Sequence, residues 1–345
     1  MEKLLTLIIP TYNMENYLHQ CLDSVIFKDS IFKSLEILVI NDGSKDSSLA
    51  IAKKYAEKYP DVIKAVDKPN GNYGSCINAG LPIASGKYVK ILDSDDSFNT
   101  SILPEFLNLL SSIEVDIVFT DFDIVNENGK ILDKRRFRVP INRMFNLDDC
   151  ITNERLIFMH GITYRTSLLN EMNYRQTEGI SYTDTEWAFI PLQKTRSAYY
   201  FPHVLYKYLV GREGQTMAGN VIHSRAAHRF KILKNIVLNY KIDEDLNIPI
   251  GIRSYRKNFI NHQIRSLYRS YILHNNDKKG FAELDKFVRS TTPEFIQISN
   301  EYTISQYIPF RYVKHMRDKG KFPPKIYLNL FKWLRKINQR INTPL

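Results

Sequence analysis

Apolar runs alternate with amphipathic stretches over about the first 90 residues of the chain. Four short runs are predicted strands: residues 4–9, 35–40, 62–66 and 88–92. The first two are continuous apolar runs of the kind that forms buried strands. The stretches between them are predicted helices: residues 13–26, 46–59 and 72–84. Asn13 stands where it could cap the first of these helices. This alternation predicts a mainly parallel α/β sheet.

Each predicted strand ends at a short polar cluster. The clusters read PTYN at residues 10–13, NDGS at 41–44, KPNGNYG at 68–74 and DSDD at 93–96. In open parallel sheets, ligands bind beyond the carboxyl ends of the strands. We therefore expect one crevice to collect all four clusters.

The DSDD cluster carries the strongest chemical signal in the chain. Its carboxylates, Asp93, Asp95 and Asp96, repel one another, so a cation or a hydrogen-bond network must hold them. Hard oxygen ligands of this kind suit Mg²⁺ or Mn²⁺, which often bridge protein carboxylates to a diphosphate. Taken alone, an acidic turn that caps the following helix would explain the same residues.

Beyond residue 100 the pattern changes. It predicts a helix at residues 100–113, a buried strand at 115–120, a hairpin that turns at 126–129 and a further strand at 158–164. From residue 221 onward it is helical, and in the last helix apolar side chains recur every three or four positions: Tyr327, Leu330, Leu334, Ile337 and Ile341, with Phe331 and Trp333 beside them. We predict two parts, residues 1–220 and a mostly helical region at 221–345.

Charge separates these two parts. Residues 221–345 contain 24 Lys and Arg against 9 Asp and Glu, a net charge of +15, whereas the first 220 residues contain 24 against 28, a net charge of −4. A basic region of this kind points to nucleic acid, anionic lipid or an acidic polymer. A basic amphipathic last helix fits a membrane interface, and it fits equally well packing on the catalytic part or on a partner subunit.

Three cysteines far apart form no metal or disulfide pattern, which indicates a reducing compartment. The N-terminus lacks the apolar region of a signal peptide, and no run approaches the roughly 18 apolar residues of a membrane span. We expect a cytoplasmic protein, with peripheral contact to the inner face of the membrane left open.

Four motifs in order carry a family resemblance: IIPTYNMENYLHQCLDSV, LEILVINDGSKDSS, KPNGNYGSCINAGL and ASGKYVKILDSDDSF. Over about the first 100 residues the chain resembles the nucleotide-binding half of the family 2 glycosyltransferases of the GT-A fold. The resemblance implies a Rossmann-like, mainly parallel sheet flanked by helices, here with a helical C-terminal region. One departure is NGNYGSCIN, where the family more often has an NGG-like turn and an Arg before Asn-Ala-Gly.

The resemblance also implies a donor site in residues 1–100. Pro10 and Tyr12 would flank the base, with the Tyr12 ring stacked on uracil. Asp42 would accept the N3 hydrogen of the base, although a turn residue in an Asn-Asp-Gly bend is the plainer alternative. Asn70 and Gly71 would approach the base or ribose through backbone groups.

The DSDD motif would bind the sugar nucleotide's ribose and diphosphate. Asp93 would hold the ribose and, through water, the metal; Asp95 would bind Mn²⁺ or Mg²⁺ directly; and Ser94 lies between them. Asp96 is predicted to cap the helix at residues 100–113.

Residues 101–220 would form the acceptor side. In the family an acidic pair opens a helix here and its Asp removes the proton of the acceptor hydroxyl; Thr183 replaces the Glu, so Asp184 inherits the role of base. Glu186 is the competing candidate, and a plain helix cap is the alternative for Asp184. In the following loop Arg212 suits a pyrophosphate, and Gln215 or Thr216 could close over the donor.

These observations favour an inverting glycosyltransferase that moves one sugar from a nucleotide sugar, with UDP as the preferred nucleotide, to a glycan or lipid-linked saccharide of a bacterial surface polymer. Two other classes stay open. A metal-dependent nucleotidyltransferase also places carboxylates at strand ends, but usually carries a Gly-rich basic loop after the first strand. A nucleic-acid-binding protein could use the basic region, but no groove-reading module is recognisable, so we expect no nucleic acid. A homo-oligomer is compatible with the sequence.

Overall fold

The computed structural model describes residues 2–149, 157–212, 215, 219–242 and 250–341. The chain forms two compact units, one of residues 1–215 with 246–255 and the other of residues 216–245 with 256–345. The first unit contains the sheet predicted from the apolar runs, and the second is mainly helical.

Four parallel strands form one side of the sheet in the first unit, in the order β3-β2-β1-β4. Their bounds are β1 Leu5–Thr11, β2 Leu35–Asn41, β3 Ile63–Asp67 and β4 Tyr88–Ile91. Every residue of β1, β2 and β4 is buried, and for β1 and β2 the continuous apolar runs predicted this. Thr11 pairs with Asn41, so these strands end at the same edge of the sheet.

The helices of this half are α1 Leu18–Asp23, α2 Ser48–Lys58, α3 Tyr73–Gly80 and α4 Leu103–Ser112. The predicted cap of α1 at Asn13 is wrong. Asn13 has a positive φ of 53°, and its side chain accepts a hydrogen bond from the Lys45 backbone, so a turn precedes a shorter helix. This bond ties the loop after β1 to the loop after β2.

The other side of the sheet mixes directions. It comprises β5 Ser97–Phe98, β6 Ile117–Val125, β7 Ile131–Arg135, β8 Met144–Asn146, β9 Ile162–Arg165 and β10 Ser197–Leu209. Strand β9 runs antiparallel between β4 and β6, while β10 runs parallel to β6. The predicted hairpin is formed by β6 and β7. Two short helices follow β9, α5 Thr166–Glu171 and α6 Asp184–Phe189.

The second unit is built from helices and one small hairpin. Its helices are α7 Gly219–Ser224, α8 Ala226–Ile242, α9 Ile250–Arg269, α10 Lys278–Thr291, α11 Glu294–Asn300, α12 Tyr312–Lys319 and α13 Lys325–Ile341, of which α9 begins in the first unit. The hairpin pairs β11 Thr303–Ser305 with β12 Ile308–Arg311. Among the described residues no helix combines the length and apolar character of a membrane span.

Candidate active site

The acidic loop after β4 is anchored to two other parts of the first unit. The Tyr73 hydroxyl, at the start of α3, donates to Asp93 Oδ1 at 2.6 Å. The Asp93 backbone N–H donates to the Tyr206 hydroxyl of β10 at 3.1 Å. Ser94 is buried at 3% exposure. The loop therefore has a fixed backbone path before any ligand binds.

Asp96 does not cap the following helix, so that prediction is wrong. It is buried, and its carboxylate accepts hydrogen bonds from the Tyr206 hydroxyl at 2.6 Å and the Leu209 backbone N–H at 2.7 Å. The N-cap of α4 is Ile102, which makes no side-chain capping bond. Asp96 instead fastens the acidic loop to the end of β10.

The surroundings of Asp93 and Asp96 favour the protonated or cation-bound form of these two carboxyl groups. Burial raises the pKa of the Asp93 carboxyl to about 7, and the neighbouring Asp95 carboxylate adds to the rise. Burial also raises the pKa of Asp96 well above its usual range, with Asp95 and Asp93 adding to the effect. Carboxyl groups with such raised pKa values attract a positive charge.

The donor set fits a divalent cation. Ligand atoms of Asp93, Asp96 and His160 all lie within 4.8 Å of one another. His160 Nδ1 is buried and has no hydrogen-bond partner among the described residues. Burial and the nearby Lys90 ammonium lower the pKa of His160 to about 3, so the imidazole is neutral and can act as a ligand. Asp95, the predicted direct ligand, is not in this cluster.

Asp95 forms an ion pair with Arg212. The Arg212 Nε donates to Asp95 Oδ2 at 2.5 Å, and both side chains are 12% exposed. The guanidinium also lies over the Tyr17 ring, 5.3 Å from its centroid. Arg212 is therefore held at the acidic loop, where it contacts the carboxylate that the resemblance assigns to the metal.

Asp42 lies at the end of β2 with one carboxylate oxygen fully engaged. Oδ1 accepts from Lys68 Nζ at 2.6 Å, from the Gly71 backbone N–H at 2.9 Å and from Ser75 Oγ at 3.4 Å. Oδ2 takes part in none of these bonds. Asn70 donates from Nδ2 to the Asp42 carbonyl at 2.9 Å. Asp42 thus organises the loop before α3 and keeps a second acceptor oxygen.

Tyr12 and Pro10 lie at the end of the neighbouring strand. The Tyr12 side chain is 45% exposed, whereas Pro10 is buried within β1, opposite Ile40. The Asp42 backbone N–H donates to the Thr11 carbonyl at 2.8 Å, which holds the two strand ends together. An exposed aromatic ring beside Asp42 is the arrangement expected of a base-stacking platform.

Asp184 begins helix α6, and its carboxylate is near the acidic loop. The negative charge of Asp184 contributes to the raised pKa of Asp93 and of Tyr73, so these groups are electrostatic neighbours. Burial raises the pKa of Asp184 itself to about 6, with a smaller contribution from Glu186. The N-cap of α6 is Thr183, and it makes no side-chain capping bond.

Glu186, the competing candidate for the base, is fully buried. Its two oxygens accept hydrogen bonds from the Thr177 backbone N–H and from Thr177 Oγ1, both at 2.7 Å. The Thr177 segment in turn contacts α3, where Asn78 and Gln176 exchange two backbone–side-chain bonds. Gly74 is required at this crossing because a Cβ there would overlap the Thr177 carbonyl oxygen. This arrangement gives Glu186 a structural role.

We expect Glu186→Ala to destabilise the first unit, because it removes a buried carboxylate that accepts two hydrogen bonds. Losing these charge-assisted bonds should lower the free energy of unfolding by about 3 kcal/mol. Urea denaturation followed by circular dichroism measures this, with the exposed Glu171→Ala as the matched control. An unchanged midpoint would contradict the structural role.

Gln215 supports its own loop. Its Oε1 accepts from the Gly211 backbone N–H at 2.9 Å, and its Nε2 donates to the Leu209 carbonyl at 2.6 Å. Both ends of the Gln215 amide are thus bonded to the backbone of residues 209–211, which does not favour the prediction that this side chain closes over the donor. Thr216, the other residue predicted to close, lies outside the described residues.

Several residues of the site were not predicted from the sequence: Lys68, Tyr73 and Tyr206. Each acts by a hydrogen bond to one of the predicted carboxylates. Tyr73 did leave a signal, because it lies in NGNYGSCIN, the motif that departs from the family pattern. The Arg usual in that motif is replaced by the buried Ile77.

Comparisons with known proteins agree with this geometry. Residues 6–172 match the family model Glycosyl transferase family 2. An uncharacterised glycosyltransferase of Rickettsia bellii is 31% identical over 173 residues, 50% of this chain and 24% of that protein. The minor teichoic acid biosynthesis protein GgaB of Bacillus subtilis is 37% identical over 115 residues, 33% of this chain and 13% of that protein. The chain thus spans less than a third of the length of these two relatives.

Solved structures share the fold over most of the chain. Residues 1–349 of S. aureus TarS in complex with UDP-GlcNAc match with a TM-score of 0.65 at 19% identity, over 94% of this chain and 93% of that chain. The mannosyltransferase PcManGT from Pyrobaculum calidifontis, in complex with GDP-Man and Mn²⁺, matches with a TM-score of 0.50 at 17% identity, over 86% and 81%. This likeness confirms the predicted fold class, a GT-A sheet flanked by helices.

Proposed function

We propose that this chain, whose residues 6–172 match glycosyltransferase family 2, transfers one sugar from a UDP-sugar to a saccharide or lipid-linked saccharide acceptor, with inversion. The observation that supports this proposal most is that side chains of helix α3 form hydrogen bonds with two of the predicted carboxylates, which lie at the same edge of the sheet. The helix contacts Asp42 through Ser75 and Asp93 through Tyr73. A nucleotide bound along this edge would have its base at Asp42 and its diphosphate at the acidic loop.

The base subsite suits uracil. Asp42 Oδ2 is the acceptor left over after Oδ1 binds Lys68 and Gly71, and uracil offers an N3 hydrogen to it. Cytosine offers an acceptor at N3, so the same oxygen would repel it. The exposed Tyr12 ring would stack on either base. The UDP and UDP-GlcNAc bound to TarS favour the same nucleotide.

We expect Asp42→Asn to weaken UDP binding by about 10- to 100-fold, because the uracil N3 hydrogen loses a charged acceptor. Calorimetric titration of UDP, CDP and GDP into the wild-type protein and the variant measures this. The wild-type protein should prefer UDP to CDP, and the variant should lose most of that preference. Asp67→Asn, which changes a carboxylate at the end of the adjacent strand β3, is the matched control.

The two outcomes of this titration have different meanings. Equal affinity of the wild-type protein for UDP and CDP would contradict the role of Asp42 in base selection. No binding of any nucleoside diphosphate would contradict the proposed function itself.

The diphosphate would lie between Arg212 and the acidic loop. Asp95 and Asp93 are the residues we propose to hold Mn²⁺ or Mg²⁺, and ligand atoms of Asp96 and His160 lie within 4.8 Å of those of Asp93. When bound, the cation would neutralise the charge that builds on the departing diphosphate. Arg212 would offer its planar fork to the phosphate oxygens.

Asp184 is the proposed general base. Its ionised carboxylate takes the proton of the acceptor hydroxyl as that oxygen attacks the anomeric carbon. The new glycosidic bond forms as the bond from the anomeric carbon to the diphosphate oxygen breaks, and its electron pair leaves with UDP. Attack from the face opposite the leaving group inverts the anomeric configuration.

We expect the transfer rate to fall as the pH drops below about 6, since Asp184 acts only when ionised and its pKa is about 6. Burial raises the pKa of Asp184 and Glu186 adds to the rise, whereas hydrogen bonds from backbone N–H groups at the start of α6 lower it. The measurement is kcat between pH 4.5 and 8.5 at saturating donor and cation. A profile that is flat across this range would contradict the assignment.

The acceptor is proposed to belong to a bacterial surface glycan, and the teichoic acid role named for GgaB supports this. Incubation with UDP-GlcNAc and a lipid-linked saccharide fraction, followed by mass spectrometry, tests the acceptor class. Addition of one sugar per acceptor is the expected product. Products carrying many sugars would contradict single-sugar transfer.

A further inference from the structure

In residues 325–334, whose side chains the structure describes, helix α13 packs on the second unit through one face. Phe331 is 3% exposed, and its ring packs edge-on against His274 at 4.9 Å, with the Arg269 guanidinium 5.0 Å from the ring centroid. One turn earlier, the Tyr327 ring stacks on Phe310 of β12 at 4.1 Å. These contacts fix which side of the helix faces the body of the unit.

The outer side of the same helix is apolar. Ile326, Leu330 and Trp333 are 65%, 38% and 58% exposed. Their spacing of four and three residues places them on one face of the helix. Single exposed apolar residues are ordinary, but three that are aligned on one helix face form a continuous patch that indicates a binding surface.

The segment that carries this patch is strongly basic. Residues 311–334 contain seven Lys and Arg against one Asp. Arg311, Lys314 and Arg317 form ion pairs with Glu301, Asp318 and Asp285. Four further lysines have no carboxylate within ion-pair distance in the described part of the chain: Lys319, Lys321, Lys325 and Lys332. Lys325 and Lys332 lie on α13 itself, and both are exposed.

We propose that this surface, formed by Ile326, Leu330 and Trp333 together with Lys325 and Lys332 of the same helix, binds an anionic lipid bilayer. The apolar face of the helix enters the layer between headgroups and acyl chains, and the ammonium groups lie against anionic headgroups. A tryptophan at the edge of such a face is typical of an interfacial position. If the proposed function holds, this binding would bring the enzyme to lipid-linked acceptors.

The chain carries its own probe for this binding. It has two tryptophans, and Trp187 is fully buried whereas Trp333 is exposed. On vesicles that contain phosphatidylglycerol, we expect the emission of Trp333 to shift to shorter wavelength. Vesicles of phosphatidylcholine alone should cause little shift. Trp333→Phe, which leaves only Trp187, should bind and show no shift.

Vesicle co-sedimentation of the full chain gives the affinities. Lys325→Gln with Lys332→Gln should lower the partition coefficient by roughly 30-fold, at about fivefold per lysine. Leu330→Ser with Trp333→Ser should lower it by at least about tenfold. The matched controls lie on exposed sites in the first unit: Lys53→Gln with Lys54→Gln, and Ile141→Ser. Circular dichroism verifies that each variant is folded.

Three results would overturn the proposal. The first is no preference for anionic over neutral vesicles, and the second is equal partition of the wild-type protein and both pairs of variants. The third is a wild-type dimer in sedimentation velocity that Leu330→Ser with Trp333→Ser converts to a monomer, because a second copy would then cover the surface. UDP titration of the same samples reports on the donor site separately, so failure here would leave the proposed function untouched.

Discussion

Asp184→Asn is expected to lower kcat for sugar transfer by about 10²- to 10⁴-fold, the usual contribution of a general base. Asparagine keeps the size of the side chain and one acceptor oxygen but cannot take a proton. Affinity for UDP should stay within about twofold, because a base acts on the acceptor and not on the nucleotide. The measurement is single-turnover transfer from radiolabelled donor.

Controls separate lost chemistry from lost structure in this variant. Asp184→Asn should unfold at the same or a higher temperature, since the raised pKa of Asp184 shows that its surroundings disfavour the ionised form. Asp61→Asn, an exposed carboxylate elsewhere in the first unit, should have no effect. Full activity of Asp184→Asn would remove Asp184 from the mechanism, and because Glu186 is fully buried, the base would have to be sought elsewhere.

Asp95→Ala is expected to abolish the cation-dependent part of donor binding, a loss of about 100-fold or more in affinity for UDP. Wild-type titrations with Mn²⁺ and with chelator should differ strongly, and those of the variant should coincide. In chelator the variant should bind UDP slightly better than the wild-type protein, because it lacks one carboxylate charge that repels the diphosphate.

The opposite result would be equally informative. If Asp95→Ala retains Mn²⁺-stimulated binding while His160→Ala loses it, the cation is held by Asp93, Asp96 and His160, whose ligand atoms converge in the structure. The role of Asp95 would then be to hold Arg212.

The sequence predicted the donor half of the fold well because its information is local. Apolar runs identified β1, β2 and β4, because a strand that is buried on both faces is apolar along its whole length and does not alternate with polar residues. The polar clusters at the ends of these strands could be grouped because parallel strands share one ligand-binding edge.

Roles that depend on distant partners could not be predicted. Asp96 was assigned to a helix cap because the helix is near in sequence, but its partner Tyr206 lies 110 positions away. The spacing of Asp184 and Glu186 could not show which of the two is the base. Burial distinguishes them, because Glu186 is buried where it accepts hydrogen bonds from Thr177.

The last helix shows the same limit. The sequence pattern placed both Phe331 and Trp333 beside the apolar stripe, and it did not show which of the two faces solvent. The packing of Phe331 on His274 and Arg269 turns Trp333 outward. A hydrophobic pattern gives the existence of an amphipathic helix, whereas the neighbouring elements decide which of its residues face solvent.

The central claim is that the protein breaks the bond between a sugar and UDP with inversion. Proton NMR of the reaction with UDP-GlcNAc, whose sugar is α-linked, tests it most directly, because the coupling of the anomeric proton shows whether the new linkage is α or β. We predict release of UDP and a β-linked sugar product, both absent with Asp184→Asn. An α-linked product, or no UDP from UDP-GlcNAc, UDP-glucose or UDP-galactose with acceptor present, would contradict the account.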